Sequence, residues 1–482
     1  MVDLNIFASF PTYAVGLMVA ALRREGHEVE VICPLAHDVP PFERERRETI
    51  VDHVKRRVHL STWRPFETAR NAARGLRGWT RDRPHPIVLR EVSRALDRKP
   101  DIVLLSAYLQ HFNTVREIGR IAEARGTPVL LGGAMFNLPS VTEEWRSLPG
   151  LVAVVGAEAD LDVSALMETA CDGGDLTAFP GVTLPDGRRG RPAGPLRGLD
   201  RIPVPDYGDF PWDRYPVKIV PLMTGRGCQW DKCAFCSDVV SVSGRTFRTR
   251  SVENVLLEIQ EQARRHETTN FVFLDLKLNS YPDMIRGIAA EIQRYVQGAE
   301  WVGTVHVDLR KDNGLSRQDL KAAVAGGMRR VSFGLESGSQ RMLDLMNKGC
   351  SVERNSQFIE DAHAAGLSIR CTMFKGFPGE TAADMAATAA FLEKHARHLD
   401  RVRFNDFSLH EDTPIYKATL AHQGATPLEV TRIVARNARI EHRNHETGSR
   451  GYRRAKARAL RAVYEINRRQ IRSTARQFDG LM

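Results

Sequence analysis

The sequence lacks any long apolar run, although hydrophobic residues make up 42% of its 482 residues. A membrane-spanning helix needs roughly 18 or more consecutive apolar residues, and no window of this chain contains them. Residues 2–7 are typical of a β-strand rather than of a signal peptide. We therefore expect a cytoplasmic protein without membrane contact, and its length predicts more than one domain.

The chain also lacks the paired cysteines of a secreted, disulfide-bonded protein. Its seven cysteines are an odd number, which favours a reducing compartment. Three of them lie within nine residues, directly after the apolar stretch 219–223: Cys228, Cys233 and Cys236. The remaining four stand singly and far apart: Cys33, Cys171, Cys350 and Cys371.

The spacing of the triplet predicts a metal centre. Four residues separate Cys228 from Cys233 and two separate Cys233 from Cys236, so one tight loop carries three thiols. A 4Fe–4S cluster normally takes four cysteines, and three local ligands would leave one iron open to a small molecule. The alternative is a structural zinc site, which needs a fourth ligand such as His266 or His306. The cluster is the favoured interpretation.

The net charge of +10 raises the question of nucleic-acid binding. Much of this charge lies in residues 43–98 and 432–476. In the second stretch the basic residues surround apolar ones, which predicts a helix with a solvated basic face. Because no aromatic platform or nucleic-acid module accompanies it, we do not expect a nucleic-acid substrate.

The cysteine loop resembles that of the radical S-adenosylmethionine (SAM) superfamily. Two glycines, Gly225 and Gly227, precede its first cysteine, and Phe235 stands directly before the last one. The commonest family spacing has three residues between the first two cysteines, whereas this chain has four. The resemblance implies a 4Fe–4S cluster whose open iron binds SAM, and reductive cleavage of SAM to a 5′-deoxyadenosyl radical. The resemblance places Phe235 beside the adenine of SAM. The alternative is that Phe235 is an ordinary aromatic residue of the hydrophobic core.

The order of strand-like and helix-like segments predicts an α/β protein. Residues 1–170 place strands at 5–10, 29–33, 101–106, 129–132 and 152–155, with helices at 14–25 and 114–125. This alternation predicts a doubly wound, Rossmann-like parallel sheet. A basic insertion at 34–100 interrupts it. Residues 171–218 are rich in Gly, Pro, Asp and Arg and are interpreted as a linker.

The alternation resumes in residues 219–420. Strands are predicted at 219–223, 270–275, 301–307, 330–334, 368–374 and 401–409, and the helices between them include 252–265 and 317–325. Six such units fit the partial (β/α)6 barrel of the radical SAM fold, with the site at the carboxyl ends of the strands. Residues 421–482 are expected to form a basic, helical C-terminal region.

The first domain resembles the cobalamin-binding domain that precedes many radical SAM domains. The segments that carry this resemblance, in order, are 16–31, 100–106, 130–133 and 154–160. The Asp-x-His-x-x-Gly signature, through which some cobalamin proteins supply a lower histidine ligand, is absent. Cobalamin is therefore an expectation that the sequence leaves open.

If the first domain holds cobalamin, the corrin should lie at the carboxyl edge of its sheet. That edge comprises the loops after Phe7, Ser106 and Gly132, because open parallel sheets bind ligands outside their strand ends. His111 lies in one of these loops and could be a lower ligand. A lone loop histidine is more often a surface residue, so we expect a cofactor without a protein ligand.

Several strand ends of the second domain match runs typical of the family, and the resemblance implies a SAM pocket there. Asp275 would lie near the amino group of SAM, with a helix N-cap as the alternative. Glu336 and Ser337 would reach the ribose or carboxylate. Arg370 would pair with the carboxylate, or else form a surface ion pair. Gly376 and Gly379 would let the backbone approach the adenosine of SAM closely.

These observations predict a radical SAM enzyme that modifies an unactivated carbon of a small metabolite or peptide. The favoured reaction is cobalamin-dependent C-methylation in natural-product biosynthesis, with an external electron donor such as flavodoxin or ferredoxin. The alternative is a cobalamin-independent dehydratase, deoxygenase or cyclase with a vestigial first domain. A non-catalytic iron–sulfur module is a third interpretation, disfavoured because the SAM-contact runs are intact. No residue is singled out as an acid or a base.

Overall fold

The structure is a computed structural model that describes residues 1–4, 9–40, 47–63, 66, 83–238, 246–421 and 428–481. Two sheets dominate it, one in each half of the chain, and a small antiparallel sheet lies near the C-terminus. No helix within the described residues is long and apolar enough to cross a membrane. The architecture is therefore the α/β arrangement that the sequence predicts.

The first sheet has five strands in the order β1-β2-β3-β4-β5. The strands are β1 (Val2–Asp3), β2 (Val103–Ser106), β3 (Val129–Gly132), β4 (Leu151–Val155) and β5 (Val182–Thr183). The first four are parallel and β5 runs antiparallel to β4. Its helices are α1 (Tyr13–Arg24), α2 (Ile50–His59), α3 (Pro86–Leu96), α4 (Phe112–Glu123), α5 (Pro139–Trp145) and α6 (Val163–Cys171).

The first sheet differs from the prediction in two places. Residues 5–8 of the strand expected at 5–10 lie outside the described residues, and the strand β1 precedes them. The strand expected at 29–33 is reduced to a single bridge between Ile32 and Val2. In the insertion, α2 and α3 are described, whereas residues 41–46, 64–65 and 67–82 are not.

Residues 171–218 do more than connect the two halves. Strand β5 lies in this stretch and pairs with β4, so the first sheet extends past residue 170. Tyr207 is buried and packs against α1 at Gly16, where a Cβ atom would lie 2.3 Å from the Tyr207 ring. Glycine is needed there because any side chain would collide with the ring.

The second sheet has six parallel strands in the order β13-β12-β11-β10-β9-β6, which confirms the predicted partial barrel. Its strands are β6 (Val220–Leu222), β9 (Asn270–Phe273), β10 (Glu300–Val305), β11 (Met328–Glu336), β12 (Ser368–Lys375) and β13 (Arg401–Asp406). The short strands β7 (Gly225–Arg226) and β8 (Arg248–Thr249) form a separate ribbon.

Helices connect these strands. They are α7 (Val252–His266), α8 (Pro282–Tyr295), α9 (Arg317–Ala325), α10 (Gln340–Leu345), α11 (Val352–Ala365), α12 (Ala382–Lys394) and α13 (Pro414–Ala421). Helices α9 and α12 begin with capping boxes, Ser316 with Asp319 and Thr381 with Asp384, so side chains satisfy their first amide groups. Such caps explain why the predicted and observed bounds of α9 agree.

The two faces of the second sheet have different roles. Side chains that alternate along β12 and β13, such as Cys371 and Val402, belong to the large core shared with the helices. The opposite side chains line what we call the inner face. At the amino ends of the strands this face is closed by Phe478, which clusters with Val272 and Val302. The site must therefore lie toward the carboxyl ends.

The C-terminal region contains a sheet that the sequence did not predict. Strands β14 (Leu409–His410), β15 (Leu428–Val434) and β16 (Arg439–Asn444) form it in the order β14-β16-β15. The predicted basic helix follows as α14 (Arg450–Asn467), and its buried face includes Leu460 and Val463. Its remaining basic residues are largely exposed, as expected for a solvated face.

Candidate functional site

The cysteine loop follows β7 and is held by backbone hydrogen bonds at its centre. The amide of Ala234 donates to the carbonyl of Met346 at 2.9 Å, and the amide of Ile415 donates to the carbonyl of Ala234 at 2.9 Å. Residues 234–236 are therefore fixed between the end of α10 and the start of α13. This places the loop over the carboxyl ends of the inner strands.

Trp230 anchors the longer first half of the loop. Its Nε1 donates to the carbonyl of Asn347 at 2.7 Å. Its ring lies so close to Gly349 that a Cβ atom there would be 2.3 Å from it. The four-residue spacing between the first two cysteines thus accommodates an indole that packs against the turn at 347–349.

The three cysteines of the loop are half-buried. Burial is the largest influence on the pKa of the Cys233 thiol and raises it. The Lys348 ammonium lowers this pKa, whereas Glu336 and Cys228 raise it further. Among the described residues, no three His, Cys, Asp or Glu side chains stand close enough together to hold one metal ion. Convergence of the three thiols on one cluster therefore stays a prediction.

Phe235 lies among aromatic rings. Its ring centroid is 4.9 Å from that of Phe374, at the end of β12, and 6.5 Å from that of Phe377. The Nζ of Lys348 lies 5.6 Å from the Phe235 centroid. The aromatic side chains form an apolar wall beside the cysteine loop. The predicted contact of Phe235 with adenine stays a prediction.

Glu336 ends β11 and forms a buried ion pair with Lys348. The Nζ–Oε1 distance is 2.9 Å, and the two side chains are 9% and 8% exposed. Burial opposes the charge of Lys348, but the nearby Glu336 carboxylate raises the pKa of that lysine overall. At Gly334 a Cβ atom would lie 2.2 Å from the Glu336 Oε1, so glycine leaves the room that this pair needs.

The backbone of Glu336 is strained. Its φ of +58° lies in the left-handed region, where a residue with a side chain costs of the order of 1 kcal/mol or more. The strand pairing with β12 shifts register between Gly334 and Glu336. Together with the ion pair, this bulge turns the carboxylate toward Lys348 and the cysteine loop.

A second buried ion pair lies at the ends of β9 and β10. The Lys277 Nζ is 2.9 Å from the Asp308 Oδ2, and both side chains are at most 5% exposed. Arg310 also pairs with Asp308, at 2.7 Å, and these partners outweigh burial to lower the pKa of the Asp308 carboxyl group.

His306 lies between the two lysines of these ion pairs. It is buried, and burial together with the Lys348 and Lys277 ammonium groups holds its pKa well below the usual range. The Asp308 carboxylate and a hydrogen bond with the Lys348 backbone raise it, but by less. The imidazole of His306 is therefore neutral.

Asp275 has a structural role in this arrangement. Its carboxylate accepts from the Thr224 hydroxyl at 2.7 Å, the Thr224 amide and the Gly225 amide at 2.8 Å. Burial raises its pKa to about 6 against these hydrogen bonds. Asp275 thus ties the end of β9 to the strand that enters the cysteine loop. A contact with the amino group of SAM stays a prediction.

Ser337 and Arg370 lie in surroundings that differ from those of Glu336, and their contact with SAM stays a prediction. The Ser337 hydroxyl pairs with that of Thr388 on α12 at 3.1 Å, which is a packing contact. Arg370 was expected at a strand end, and this is wrong. It is the third residue of β12 and pairs in register with Ser332, about 17 Å before Lys375 at 3.3 Å per residue.

Gly376 and Gly379 serve the turn after β12. Their φ angles are +83° and +80°, a region that favours glycine. The Gly376 amide donates to Glu380 Oε2 at 2.6 Å, and the Tyr452 hydroxyl donates to the same oxygen at 2.5 Å. A Cβ atom at either glycine would meet only ordinary contacts. The positive φ angles favour glycine at both positions, and a close approach of this backbone to adenosine stays a prediction.

Several residues of this site were not predicted from the sequence. The roles of Lys277 and Lys348 depend on partners that folding brings near: Asp308 and Glu336. Trp230 lies inside the cysteine loop itself. The regular alternation of leucine with polar residues over 274–279 is the signal that could have found Lys277.

The carboxyl edge of the first sheet presents an aromatic ring and an imidazole. Tyr108, after β2, is 49% exposed there. Burial lowers the pKa of His111 to about 4, which keeps its imidazole neutral, and its Nε2 lies 3.4 Å from the Gln110 Nε2. An aromatic side chain and a neutral imidazole are compatible with an uncharged corrin face. The predicted loop after Phe7 lies outside the described residues.

Two ion pairs connect this edge to the cysteine loop. Asp160 accepts two hydrogen bonds of 2.7 Å from Arg226, two residues before Cys228. Glu158 pairs with Arg248 at 2.6 Å. Both carboxylates lie in the loop after β4, and both side chains are at most 7% exposed. A ligand at the edge of the first sheet would therefore lie near the cysteine loop.

Comparison with known proteins identifies the second half of the chain. Residues 222–392 match the radical SAM superfamily. They form a radical SAM domain. Such domains use a 4Fe–4S cluster and SAM, and the protein is an enzyme. The sequence resemblance is thereby confirmed for the part of the chain that carries the cysteine loop.

Two relatives cover most of the chain at low identity. An uncharacterized methyltransferase of Pyrococcus horikoshii is 27% identical over 332 residues, which are 67% of this chain and 70% of the relative. The anaerobic magnesium-protoporphyrin IX monomethyl ester cyclase of Rubrivivax gelatinosus is 28% identical over 308 residues, 60% of this chain. This chain spans only 53% of that cyclase.

Solved structures share the fold of both halves. The radical SAM methyltransferase TsrM of Kitasatospora setae, bound to tryptophan and a SAM analogue, aligns with a TM-score of 0.66 and 17% identity, over 96% of this chain and 88% of its own. The cobalamin-dependent radical enzyme OxsB aligns with a TM-score of 0.62 and 15% identity, over 74% and 58%. These likenesses show the fold.

Proposed function

We propose that this protein is a cobalamin-dependent radical SAM methyltransferase that acts on an unactivated carbon of a small metabolite or peptide. The observation that carries the proposal is the connection between the two halves. Asp160 and Glu158 follow β4 of the first sheet and pair with Arg226 and Arg248, which flank the cysteine loop. A cofactor at the first sheet would face the site of SAM cleavage.

When bound, the 4Fe–4S cluster and SAM supply a 5′-deoxyadenosyl radical, and cobalamin supplies the methyl group. The chain would hold the cluster through Cys228, Cys233 and Cys236. The rings of Phe235 and Phe374 line one side of this region and would limit the access of water to the radical. The half-buried cysteine loop leaves a route for electrons from an external donor such as flavodoxin or ferredoxin.

The comparisons support this proposal. The Pyrococcus relative is named as a methyltransferase, and TsrM has been solved with cobalamin and a 4Fe–4S cluster. We propose a division into a cobalamin-binding domain (1–170), a linker (171–218), a radical SAM partial barrel (219–420) and a basic C-terminal region (421–482). The last part would close the barrel, as Phe478 does at the amino ends of the strands.

One relative favours a second candidate. The Rubrivivax protein is named as a cyclase and is 28% identical. A cobalamin-independent radical cyclase, dehydratase or deoxygenase with a vestigial first domain would use the same cysteine loop. It would leave the edge at Tyr108 and His111 without a cofactor.

Anaerobic purification followed by iron and cobalamin quantification separates these candidates. The proposal expects about four iron atoms and one cobalamin per chain, and both S-adenosylhomocysteine and 5′-deoxyadenosine as products of SAM. Iron with no cobalamin after reconstitution would overturn the methyltransferase and favour the second candidate. A protein without SAM cleavage would overturn both.

A further inference from the structure

The inner face of the edge strand β13 and its neighbour β12 is unusually polar. In register, Thr372 lies beside Arg403 and Phe374 lies beside Asn405. The alternate residues Cys371, Val402 and their neighbours face the helices instead. A sheet face that lines a barrel is normally filled by apolar side chains, so polar side chains here require another reason.

Arg403 has an uncompensated charge. It is exposed on the inner face, and among the described residues none forms a hydrogen bond or ion pair with it. The one carboxylate of β13 itself is occupied, because Asp406 pairs with Lys375. Asn405 is likewise exposed, and its side chain has no described partner.

The position of these residues relates them to the cysteine loop. Asn405 is in register with Phe374, whose ring centroid is 4.9 Å from that of Phe235, the residue before Cys236. Arg403 is two residues earlier on the same strand, about 7 Å along it. A small molecule held by Arg403 and Asn405 would therefore lie one strand away from the aromatic wall of the reaction site.

We propose that Arg403 and Asn405 bind the substrate and that the substrate carries a carboxylate. The planar guanidinium offers paired N–H donors that match a carboxylate in two-point contact, and the Asn405 amide can add a third donor. This inference rests on the proposed function because it names the substrate class of the same site. It assigns Arg403 as a specificity-determining residue.

The test measures binding rather than turnover. Reconstituted holoenzyme with SAM is incubated anaerobically with the twenty proteinogenic L-amino acids and their 2-oxo acids, each beside its primary amide, and retained compounds are quantified by mass spectrometry. We expect at least one acid to be retained and its amide to bind at least tenfold more weakly. Arg403→Gln should lower retention of the acid at least tenfold, and Arg403→Lys should restore part of it.

Arg397→Gln is the matched control. Arg397 is an exposed arginine between α12 and β13 for which no described contact is present, and its loss should leave retention unchanged. Equal retention of acid and amide, full retention by Arg403→Gln, or retention of no acid would overturn the inference. Displacement by equimolar inorganic phosphate would also overturn it, in favour of a phosphate site.

Failure of this inference can be told apart from failure of the proposed function. Cobalamin content and SAM cleavage, measured on the same preparation, report the reaction class. Acid-selective retention through Arg403 in a protein without cobalamin would leave the carboxylate site standing and remove the methyltransferase. The reverse outcome would keep the methyltransferase and remove the carboxylate site.

Discussion

Replacing Glu336 with glutamine leaves the buried Lys348 ammonium without a carboxylate partner. The two side chains are 9% and 8% exposed, and their charged atoms are 2.9 Å apart. Removing one member of such a buried pair typically costs about 3–5 kcal/mol, because the remaining charge stays desolvated. Lys348 belongs to the turn that supports Trp230, so the cysteine loop should lose part of its support. We expect SAM to bind at least about tenfold more weakly, with iron content retained.

The assay is a double-mutant cycle. Denaturant unfolding and SAM affinity are measured for Glu336→Gln, Lys348→Met and the double variant. A coupling energy of about 2 kcal/mol or more is expected, since removing both charges avoids the unpaired one. Glu393→Gln is the control, because its ion pair with Arg458 is exposed and its loss should not shift the unfolding midpoint. Unchanged stability and SAM affinity in Glu336→Gln would refute the reasoning.

Three further predictions follow from the site. Alanine at any one cysteine of the 228–236 loop should abolish the cluster and 5′-deoxyadenosine formation, whereas Cys371→Ala, on the helix-facing side of β12, should keep both; an intact cluster in a loop variant would contradict the ligand assignment. Gly334→Ala places a Cβ atom 2.2 Å from the Glu336 carboxylate and should weaken SAM binding as Glu336→Gln does, while Gly194→Ala, in open space, should not. Burial raises the pKa of Glu380 from 4.5 to about 7, so the folded state binds this proton more tightly than the unfolded state does. The free energy of unfolding should therefore fall by up to about 3 kcal/mol as the pH rises from 4.5 to 7. Unfolding of Glu380→Gln should lack this pH dependence.

The sequence predicted the parts of the fold that depend on local pattern. The strand at 129–132 was predicted with the bounds that β3 has, and helix 317–325 matched α9, because apolar periodicity and caps are local signals. The strand expected at 29–33 does not form, because only Ile32 makes a β-bridge to another segment. The hairpin of β15 and β16 was missed because the basic composition of 432–476 dominated the interpretation of that stretch.

The site was harder to predict than the fold because its members depend on long-range contacts. Glu336 was selected correctly as a strand-end residue, yet its partner Lys348 is twelve residues later and joins it only through the turn after α10. The position of Arg370 was predicted wrongly because the sequence does not show which part of β12 lies next to the cysteine loop. The role proposed for Arg403 carried no signal in the sequence, because it depends on the pairing of β13 with β12.

The electron paramagnetic resonance spectrum of the cobalamin-loaded, reduced protein tests the central claim most directly. We expect a Co(II) signal of about one spin per chain, without nitrogen superhyperfine splitting. The cobalamin that gives this signal would lie at the edge of the first sheet, beside Tyr108 and His111. Nitrogen splitting that disappears in His111→Phe would show a lower imidazole ligand and correct that detail. Absence of any bound Co(II) signal after loading would contradict a cobalamin-dependent methyltransferase.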